Sequence, residues 1–217
     1  MEHDFEYVNK IEYGPVKKEL EELIHLVQDD IRDEYFTFSY SYVGSSSKNR
    51  RMITRDRNSN IGYDFDVNIH VNDDDEDYDA REIRQSIIMK TFNKFAGRFG
   101  YDFCEDHTRV FTIKKKNYYL SSIIHSCDFA IVYDCNDGRQ QYIHYNKEQR
   151  SYCWEYLPVA DHRVEEKADW LKNPKHNHWQ EVRERYLEKK DNNTDENQRS
   201  RSLYRQTINE IYQKYHK

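Results

Sequence analysis

The sequence predicts an α+β protein in which a mixed sheet is flanked by helices and followed by a short helical C-terminal segment. Three observations indicate this class. Apolar residues recur at helical spacing near the N-terminus, alternating polar and apolar runs fill the middle, and helical periodicity returns after Val164. We expect one domain over residues 1–160 and a helical segment over residues 161–217 that packs on it.

The first predicted helix follows Gly14-Pro15. Its apolar residues lie three and four apart: Leu20, Leu23, Ile24, Val27 and Ile31. Residues 35–42 then alternate strictly between aromatic and small polar side chains, which predicts a half-buried strand that ends before Gly44. A polar, basic connection leads to a second alternating run, residues 63–71.

Later elements follow by the same criteria. The acidic run Asn72–Asp79 predicts a solvated loop whose Asp residues cap the next helix, which carries Ile83 and Phe92. Further strands are predicted near residues 103, 110–113, 123–133 and 141–145, and two helical stripes follow. The stripes are Trp179, Val182, Tyr186 and Leu187, and then Tyr204, Ile208, Ile211 and Tyr215.

The composition argues against several classes of protein. Of 217 residues, 36% are hydrophobic and 34% charged, so the core must draw on the 19 Tyr and 10 Phe. A net charge of −6 disfavours a general nucleic-acid-coating surface. No apolar run approaches the ~18 residues of a membrane span, and the acidic N-terminus does not resemble a signal peptide. We therefore expect a cytoplasmic protein with no membrane partner.

The cysteines and histidines point to no structural metal or disulfide framework. The chain has four cysteines, none in Cys-x-x-Cys spacing, and with no export signal we expect them to be reduced thiols. They are Cys104, Cys127, Cys135 and Cys153. His176-x-His178 has no second ligand pair at zinc spacing. Serine-hydrolase elbow and P-loop signatures do not occur either.

The strand over residues 63–71 carries the most informative pair of side chains. Asp64 and Asp66 lie two apart, so on an extended strand they share one face about 7 Å apart, opposite an apolar face. Adjacent carboxylates repel each other, and partial burial raises the pKa of at least one. A divalent cation relieves that repulsion, and hard oxygen ligands suit Mg²⁺ or Mn²⁺. The pair therefore predicts a metal site.

Two further segments support such a site. Gly44-Ser45 stands where a strand ends, and a glycine turn with Ser hydroxyls and exposed N–H groups can cradle phosphate oxygens. Lys48 and Arg50 follow in a cationic stretch that could grip the same phosphates. Asp128 enters an otherwise apolar strand, where a carboxylate is costly unless paired or metal-bound. If that strand neighbours the Asp64 strand, three carboxylates converge.

Taken in order, these pieces resemble the DNA polymerase beta-type nucleotidyltransferase superfamily. The likeness covers roughly residues 15–135: helix, strand, Gly44-Ser45, Asp-x-Asp on the next strand, and a third Asp on a later strand. The segment 170–175, Trp-Leu-Lys-Asn-Pro-Lys, more faintly resembles the oligoadenylate-synthase-like and bacterial cyclic-oligonucleotide-synthase-like branches; a minimal nucleotidyltransferase branch is also compatible. One departure is the twenty residues between Gly44 and Asp64, where the family usually has about a dozen.

The resemblance implies a fold and a reaction. The fold is a palm with a mixed, mostly antiparallel sheet, and the reaction moves a nucleoside monophosphate from an NTP to a hydroxyl with release of pyrophosphate. Gly44 and Ser45 would contact the nucleotide phosphates, and Asp64 and Asp66 would ligate Mg²⁺ or Mn²⁺. Asp128 would ligate one metal and help to activate the acceptor hydroxyl.

Several alternatives stay open at the level of sequence. The acceptor could be a nucleotide, an RNA end, a small molecule or a protein hydroxyl, and base preference and oligomeric state are not indicated. The Arg-rich segment 49–60 could be a triphosphate clamp or a surface excursion. The chain could also be a non-catalytic nucleotide-binding relative that acts as a sensor or interaction module, or a nucleic-acid-binding module with a similar strand pattern.

Overall fold

A computed structural model of the chain describes residues 3–72, 77–158, 162–195 and 198–216. Two compact units emerge from its internal contacts. The larger, which we call the sheet unit, comprises Tyr7–Ile53 and Asn60–Pro158; the smaller, the helical unit, comprises Met1–Glu6, Thr54–Ser59 and Val159–Lys217. Within the described ranges, no helix combines the length and apolar character that crossing a bilayer requires.

The elements alternate in the order expected of an α+β protein, and the predicted class is confirmed. The strands are β1 (Phe5–Tyr7), β2 (Thr37–Val43), β3 (Thr54–Asp56), β4 (Ile61–Asn72), β5 (Glu105–Asp106), β6 (Phe111–Asn117), β7 (Ser122–Asp134), β8 (Gln140–Asn146) and β9 (Ser151–Tyr156). The helices are α1 (Lys10–Arg32), α2 (Lys90–Ala96), α3 (His162–Lys172), α4 (Trp179–Asp191) and α5 (Ser200–Tyr215). A π-helical segment, Glu82–Met89, leads directly into α2.

The main sheet has the strand order β2-β4-β7-β6-β5, with β8 on β7 and β9 on β8. Only the β4–β7 pair is parallel among these described strands, so the sheet is mixed and mostly antiparallel. β4 and β7 are also its longest strands and lie next to each other. This arrangement places the Asp64 strand beside the Asp128 strand, as the sequence required for the carboxylates to converge.

One face of the sheet forms the core with α1 and α2. On β4 the odd-numbered residues from Tyr63 to Val71 are buried, as the alternation predicted. The α1 stripe predicted from spacing is fully buried: Leu20, Leu23, Ile24, Val27 and Ile31. On β7, Phe129 stacks on Phe111 with ring centroids 5.0 Å apart and packs against Phe92. The even-numbered residues of β4 therefore face away from this core.

The contact between β4 and β7 is unusually close at Gly62. A Cβ at this position would lie 2.0 Å from the carbonyl oxygen of Ile124, a separation that side chains do not tolerate. Ile61 and Tyr63 flank it and pair in register with Ile123 and His125. Glycine at this point lets the two parallel strands keep the register that continues to the acids.

The start of the π-helical segment is capped as the sequence predicted. Asp79 Oδ1 accepts hydrogen bonds from the backbone nitrogens of Arg81 and Glu82, both at 2.8 Å. The remainder of the acidic loop predicted over Asn72–Asp79 lies largely outside the described residues, since positions 73–76 are not part of them. A strand predicted near Phe103 begins instead at Glu105, and Phe103 is exposed.

Arg84 anchors the loop between β5 and β6 from inside the sheet unit. Its side chain is 1% exposed, and its guanidinium donates to the carbonyl oxygens of His107, Val110 and Ile143 at 2.5, 2.6 and 3.1 Å. It also pairs with Asp106 at 2.5 Å. Burial lowers the pKa of Arg84, and the Asp106 carboxylate offsets this effect. These contacts assign Arg84 a structural role.

The helical unit has its own small core. Val164, Leu171, Val182 and Ile208 are buried in it, with Tyr186 and Tyr204 edge to face at 6.3 Å. Helices α3, α4 and α5 account for the periodicity predicted after residue 161. The unit also contains residues 54–59, which come from the middle of the chain. The domain boundary at residue 160 stays a prediction.

Candidate active site

Three acids meet on the face of the sheet opposite the core. Asp64 and Asp66 are alternate residues of β4, and Asp128 lies directly across from Asp66 in the parallel β4–β7 register. Neighbouring strands of a sheet lie about 4.8 Å apart, so Asp66 and Asp128 are adjacent side chains on this face. Asp64 is exposed, whereas Asp66 and Asp128 are half-buried. The structure thus brings together all three carboxylates that the sequence predicted.

Asp66 is the acid of this group whose ionised form is disfavoured by its surroundings. Burial and the neighbouring charges of Asp64 and Asp128 raise its pKa from 3.8 to about 7, against a lowering effect of Arg50. The causes, in decreasing order, are desolvation, Asp64 and Asp128. A carboxyl group in this position is stabilised by a proton or by a cation, because either one cancels the repulsion.

Gly44 brings the main chain against the Asp66 carboxylate. β2 ends at Val43, which pairs with Asp66, and the chain then turns through a short 3₁₀ segment, Gly44–Ser46. Gly44 has φ +60°, and a Cβ there would lie 2.5 Å from Asp66 Oδ2. Both the backbone angle and the space require glycine. The predicted Gly-Ser turn is therefore adjacent to the acids.

The two serines of this turn differ in what they contact. Ser45 is half-buried, and its carbonyl oxygen accepts a hydrogen bond from Met52 N at 2.9 Å. The Ser46 hydroxyl is buried; it accepts from Asp66 N at 3.2 Å and lies 2.8 Å from the Val43 carbonyl, to which it donates. Ser46 therefore fixes the backbone of Asp66, a role that sequence reasoning missed. Its signal was present as the third residue of Gly-Ser-Ser.

The cationic segment divides between the two units. Arg50 belongs to the sheet unit and is close enough to Asp66 to lower its pKa, and Lys48 in the same unit is exposed. Arg55 and Arg57 belong to the helical unit instead. There Arg55 pairs with Glu6 at 2.7 Å and Arg57 with Asp4 at 2.8 Å. The Arg-rich run is thus not one continuous clamp.

Thr112 positions the third acid. Its hydroxyl donates a hydrogen bond to Asp128 Oδ1 at 2.5 Å, and the two residues are opposite each other in the antiparallel β6–β7 register. Thr112 is 5% exposed, between the fully buried Phe111 and Ile113. A polar residue between two core residues was visible in the sequence, but its partner on another strand was not.

The donor set of the three acids fits a hard divalent cation. Carboxylate oxygens are the ligands that Mg²⁺ and Mn²⁺ prefer. The mutual repulsion that raises the pKa of Asp66 is the cost that such an ion would remove. Across the ranges that the structure describes, no group of three or more His, Cys, Asp or Glu side chains lies in an arrangement that could hold a metal ion. The acids share a face without forming a finished metal cage.

Comparison with solved structures identifies the fold. The chain is similar to Vibrio cholerae DncV with 3′-deoxy ATP bound, at 16% identity and a TM-score of 0.53, over 90% of this chain and 51% of that one. It is similar to the DncV cyclic AMP-GMP synthase in complex with the linear intermediate 5′ pppA(3′,5′)pG, at 15% identity and a TM-score of 0.51, over 90% and 53% of the chains. It is also similar to Escherichia coli MS115-1 CdnC with ATP, at 15% identity and a TM-score of 0.50, over 96% and 62%.

These likenesses concern the fold. The chain spans about half the length of the DncV structures that it matches. No family description and no curated protein matches the sequence. The chain shares the fold of these solved structures, which agrees with the resemblance drawn from the sequence at the level of the fold. The roles of Gly44, Ser45, Asp64, Asp66 and Asp128 stay predictions.

Proposed function

We propose that the protein is a metal-dependent nucleotidyltransferase that moves a nucleoside monophosphate from an NTP to a hydroxyl acceptor and releases pyrophosphate. The observation that supports this most strongly is the register of the sheet. The register pairs Asp66 with Asp128 on β7 and with Val43 on β2, so that two acids and the Gly44 turn lie side by side across the sheet.

The acids would hold the divalent cations. Asp64, Asp66 and Asp128 offer the oxygen ligands, and the bound Mg²⁺ or Mn²⁺ would supply charge neutralisation at the triphosphate and lower the pKa of the acceptor hydroxyl. Burial of Asp66 makes it the ligand whose ionisation depends most on the cation, because its pKa of about 7 reflects unrelieved desolvation and repulsion.

The turn after β2 would hold the leaving group. Its positive-φ glycine and the half-buried Ser45 would offer backbone N–H and hydroxyl donors to phosphate oxygens, while the Ser46 hydroxyl is bonded to the backbone of Asp66. Arg50 supplies positive charge near Asp66, and Lys48 is exposed close by in sequence. Positioning and preorganised charge would provide most of the rate acceleration.

The third acid would act on the acceptor. Asp128 is held through Oδ1 by the Thr112 hydroxyl, which orients its second oxygen and limits its rotation. That oxygen would accept the proton of the attacking hydroxyl. The neighbouring structures carry 3′-deoxy ATP, ATP or a linear dinucleotide, which supports an NTP as donor and leaves a nucleotide among the candidate acceptors.

The test is pyrophosphate release in the presence of each NTP with Mg²⁺ or Mn²⁺. We expect Asp64→Ala and Asp66→Ala each to abolish release while the protein stays folded. Asp137→Asn is the matched control, because Asp137 is an exposed acid of the same unit that pairs locally with Arg139. Release that persists in a folded Asp64→Ala/Asp66→Ala double variant would refute the proposal. Calorimetry showing NTP binding with no release for any acceptor would favour a non-catalytic nucleotide-binding relative.

A further inference from the structure

Three side chains from three strands form a second polar constellation on the face that carries the acids. Ser41 Oγ lies 2.8 Å from His70 Nε2, and His70 Nδ1 lies 2.7 Å from Asp134 Oδ2. Ser41 is on β2, His70 on β4 and Asp134 at the end of β7. These distances and this order match a nucleophile, a general base and the carboxylate that orients the base.

The hydrogen bonds determine which nitrogen of His70 carries the proton. An ionised carboxylate only accepts hydrogen bonds, so the bond to Asp134 requires Nδ1–H. In the neutral ring Nε2 then has a lone pair, and the Ser41 hydroxyl must donate to it. This is the tautomer in which His70 can remove the proton of Ser41.

Asp134 is itself held in place and kept charged. Gln140 Nε2 donates to its Oδ1 at 2.6 Å, while His70 occupies Oδ2. Burial tends to raise the pKa of Asp134, but the hydrogen bonds from Gln140 and His70 lower it overall. The carboxylate therefore stays ionised at neutral pH and can stabilise the imidazolium that forms when His70 takes a proton.

A hydrogen-bond donor for developing negative charge is available next to the serine. Asn68 pairs directly with Ser41 in the antiparallel β2–β4 register and is two residues before His70, so it lies on the same face. Side chains paired in this way have Cβ atoms about 5 Å apart. A carboxamide at this position can serve as an oxyanion donor of the type that Asn residues provide in acyl-transfer enzymes.

We propose that Ser41, His70 and Asp134 form a nucleophilic site that accepts an acyl group from an uncharged carboxylic ester, with Asn68 as the oxyanion donor. The charge of the face selects the substrate class. Asp64, Asp66 and Asp128 lie on this face, so an anionic ester is repelled by their combined charge in the absence of cations, whereas a neutral ester is not.

The chemical step balances within these residues and water. Ser41 Oγ attacks the carbonyl carbon as His70 Nε2 takes its proton, and the C–O bond to the alcohol then breaks as the alcohol receives that proton. The acyl group is left on Ser41. Water, deprotonated by His70, next attacks the acyl carbon and releases the carboxylic acid with Ser41 restored. No oxidant or cofactor is needed.

The sequence could not reveal this site. Ser41 is in the alternating strand rather than in a Gly-x-Ser-x-Gly elbow, and its partners follow 29 and 93 positions later, as the differences 70 − 41 and 134 − 41 show. Register brings them together: Ser39 pairs with His70 and Ser41 with Asn68, so His70 reaches Ser41 diagonally.

The experiment treats the whole chain, without nucleotide, with an uncharged alkyl fluorophosphonate and locates the adduct by peptide mass spectrometry. In that reaction the P–F bond breaks and fluoride leaves. We expect labelling of Ser41, loss of the adduct in Ser41→Ala, and a labelling rate about 100-fold lower in His70→Ala, since general base catalysis contributes at least that factor. Asp134→Asn, at a residue that is 61% exposed, should slow labelling at least about tenfold without unfolding the chain.

Ser39 provides the matched control. It is exposed, lies on the same strand and face, and is directly opposite His70 in register. Ser39→Ala should leave the labelling rate unchanged. A folded wild-type chain that is not labelled at Ser41, that is labelled equally at Ser39, or that keeps its rate in His70→Ala or Asp134→Asn would overturn the proposal. Because no nucleotide is added, these outcomes are independent of the nucleotidyltransferase proposal.

A second readout uses turnover. With p-nitrophenyl acetate we expect a burst of nitrophenolate that approaches one equivalent of chain and disappears in Ser41→Ala. If untreated wild-type chain gave no Ser41-dependent burst, while a parallel sample of it was labelled at Ser41 by the fluorophosphonate, the ester class assigned to the site would be contradicted.

Discussion

Gly44→Ala should separate the contribution of the turn to stability from its contribution to the site. Two costs add. A non-glycine residue at φ +60° costs about 1–2 kcal/mol, and the new Cβ, 2.5 Å from Asp66 Oδ2, forces that carboxylate off its rotamer at a cost of about 0.5–1.5 kcal/mol. We expect the free energy of unfolding to fall by about 1.5–3.5 kcal/mol in urea denaturation at neutral pH.

The displaced carboxylate should cost more in activity than in stability. A shift of about 1 Å in a positioning group can lower turnover about 100-fold, so pyrophosphate release should fall by at least that factor under conditions where the variant is folded. Substrate saturation and added Mg²⁺ should not restore it, because the new methyl group occupies the space of Asp66.

Gly138→Ala is the matched control for this prediction. Gly138 also has a positive φ, +80°, but a Cβ there would meet no atom within 4 Å. It should lose about 1–2 kcal/mol of stability from backbone strain alone and keep full activity. If the two variants lost activity equally, or if Gly44→Ala remained fully active, the assignment of the Gly44 turn to the site would be refuted.

Three further variants test other parts of the account. Asp66 has a folded-state pKa of about 7 against 3.8 ordinarily, so the loss of stability from ionising it is absent below about pH 4 and nearly complete at pH 8. At ~1.4 kcal/mol for each pKa unit, metal-free Asp66→Asn should be more stable than the wild type by about 4 kcal/mol at pH 8 and by nothing at pH 4, and the same difference at both pH values would contradict this. Burial lowers the pKa of His125 to about 4 from 6.5, so the unfolded chain binds the proton first as the pH falls. Between pH 7 and 5 the free energy of unfolding of the wild type should therefore fall by about 1–2 kcal/mol more than that of His125→Phe, as measured in parallel urea titrations. Thr112→Val keeps the side-chain shape but removes the donor to Asp128, and should lower pyrophosphate release about tenfold with little change in melting temperature.

Much of the fold followed from periodicity. The α1 stripe from Leu20 to Ile31 and the buried odd-numbered residues of β4 are local patterns, and local patterns identify which side chains a helix or strand buries. The same alternation placed Asp64 and Asp66 on the opposite face. Segment 54–59 was different: Arg55 and Arg57 pair with Glu6 and Asp4 near the N-terminus, and such pairings depend on a distant part of the chain.

The acids of the candidate site could be predicted from the sequence, but the residues that hold these acids in place could not. Asp128 could be paired with Asp66 only on the condition that β7 neighbours β4, which the parallel register now shows. Ser46 and Thr112 act through hydrogen bonds to residues 20 and 16 positions away on other strands. No local pattern specifies such partners, because register is set by the packing of the whole sheet.

The most direct test of the central claim is calorimetric titration of the chain with an NTP in the presence and absence of Mn²⁺, for the wild type and Asp66→Asn. If Asp64, Asp66 and Asp128 form a cation-dependent triphosphate site, Mn²⁺ should tighten NTP binding to the wild type by at least about tenfold, and this gain should disappear in Asp66→Asn. NTP binding that is equally tight with and without Mn²⁺, or a Mn²⁺ effect that survives in the variant, would contradict the account.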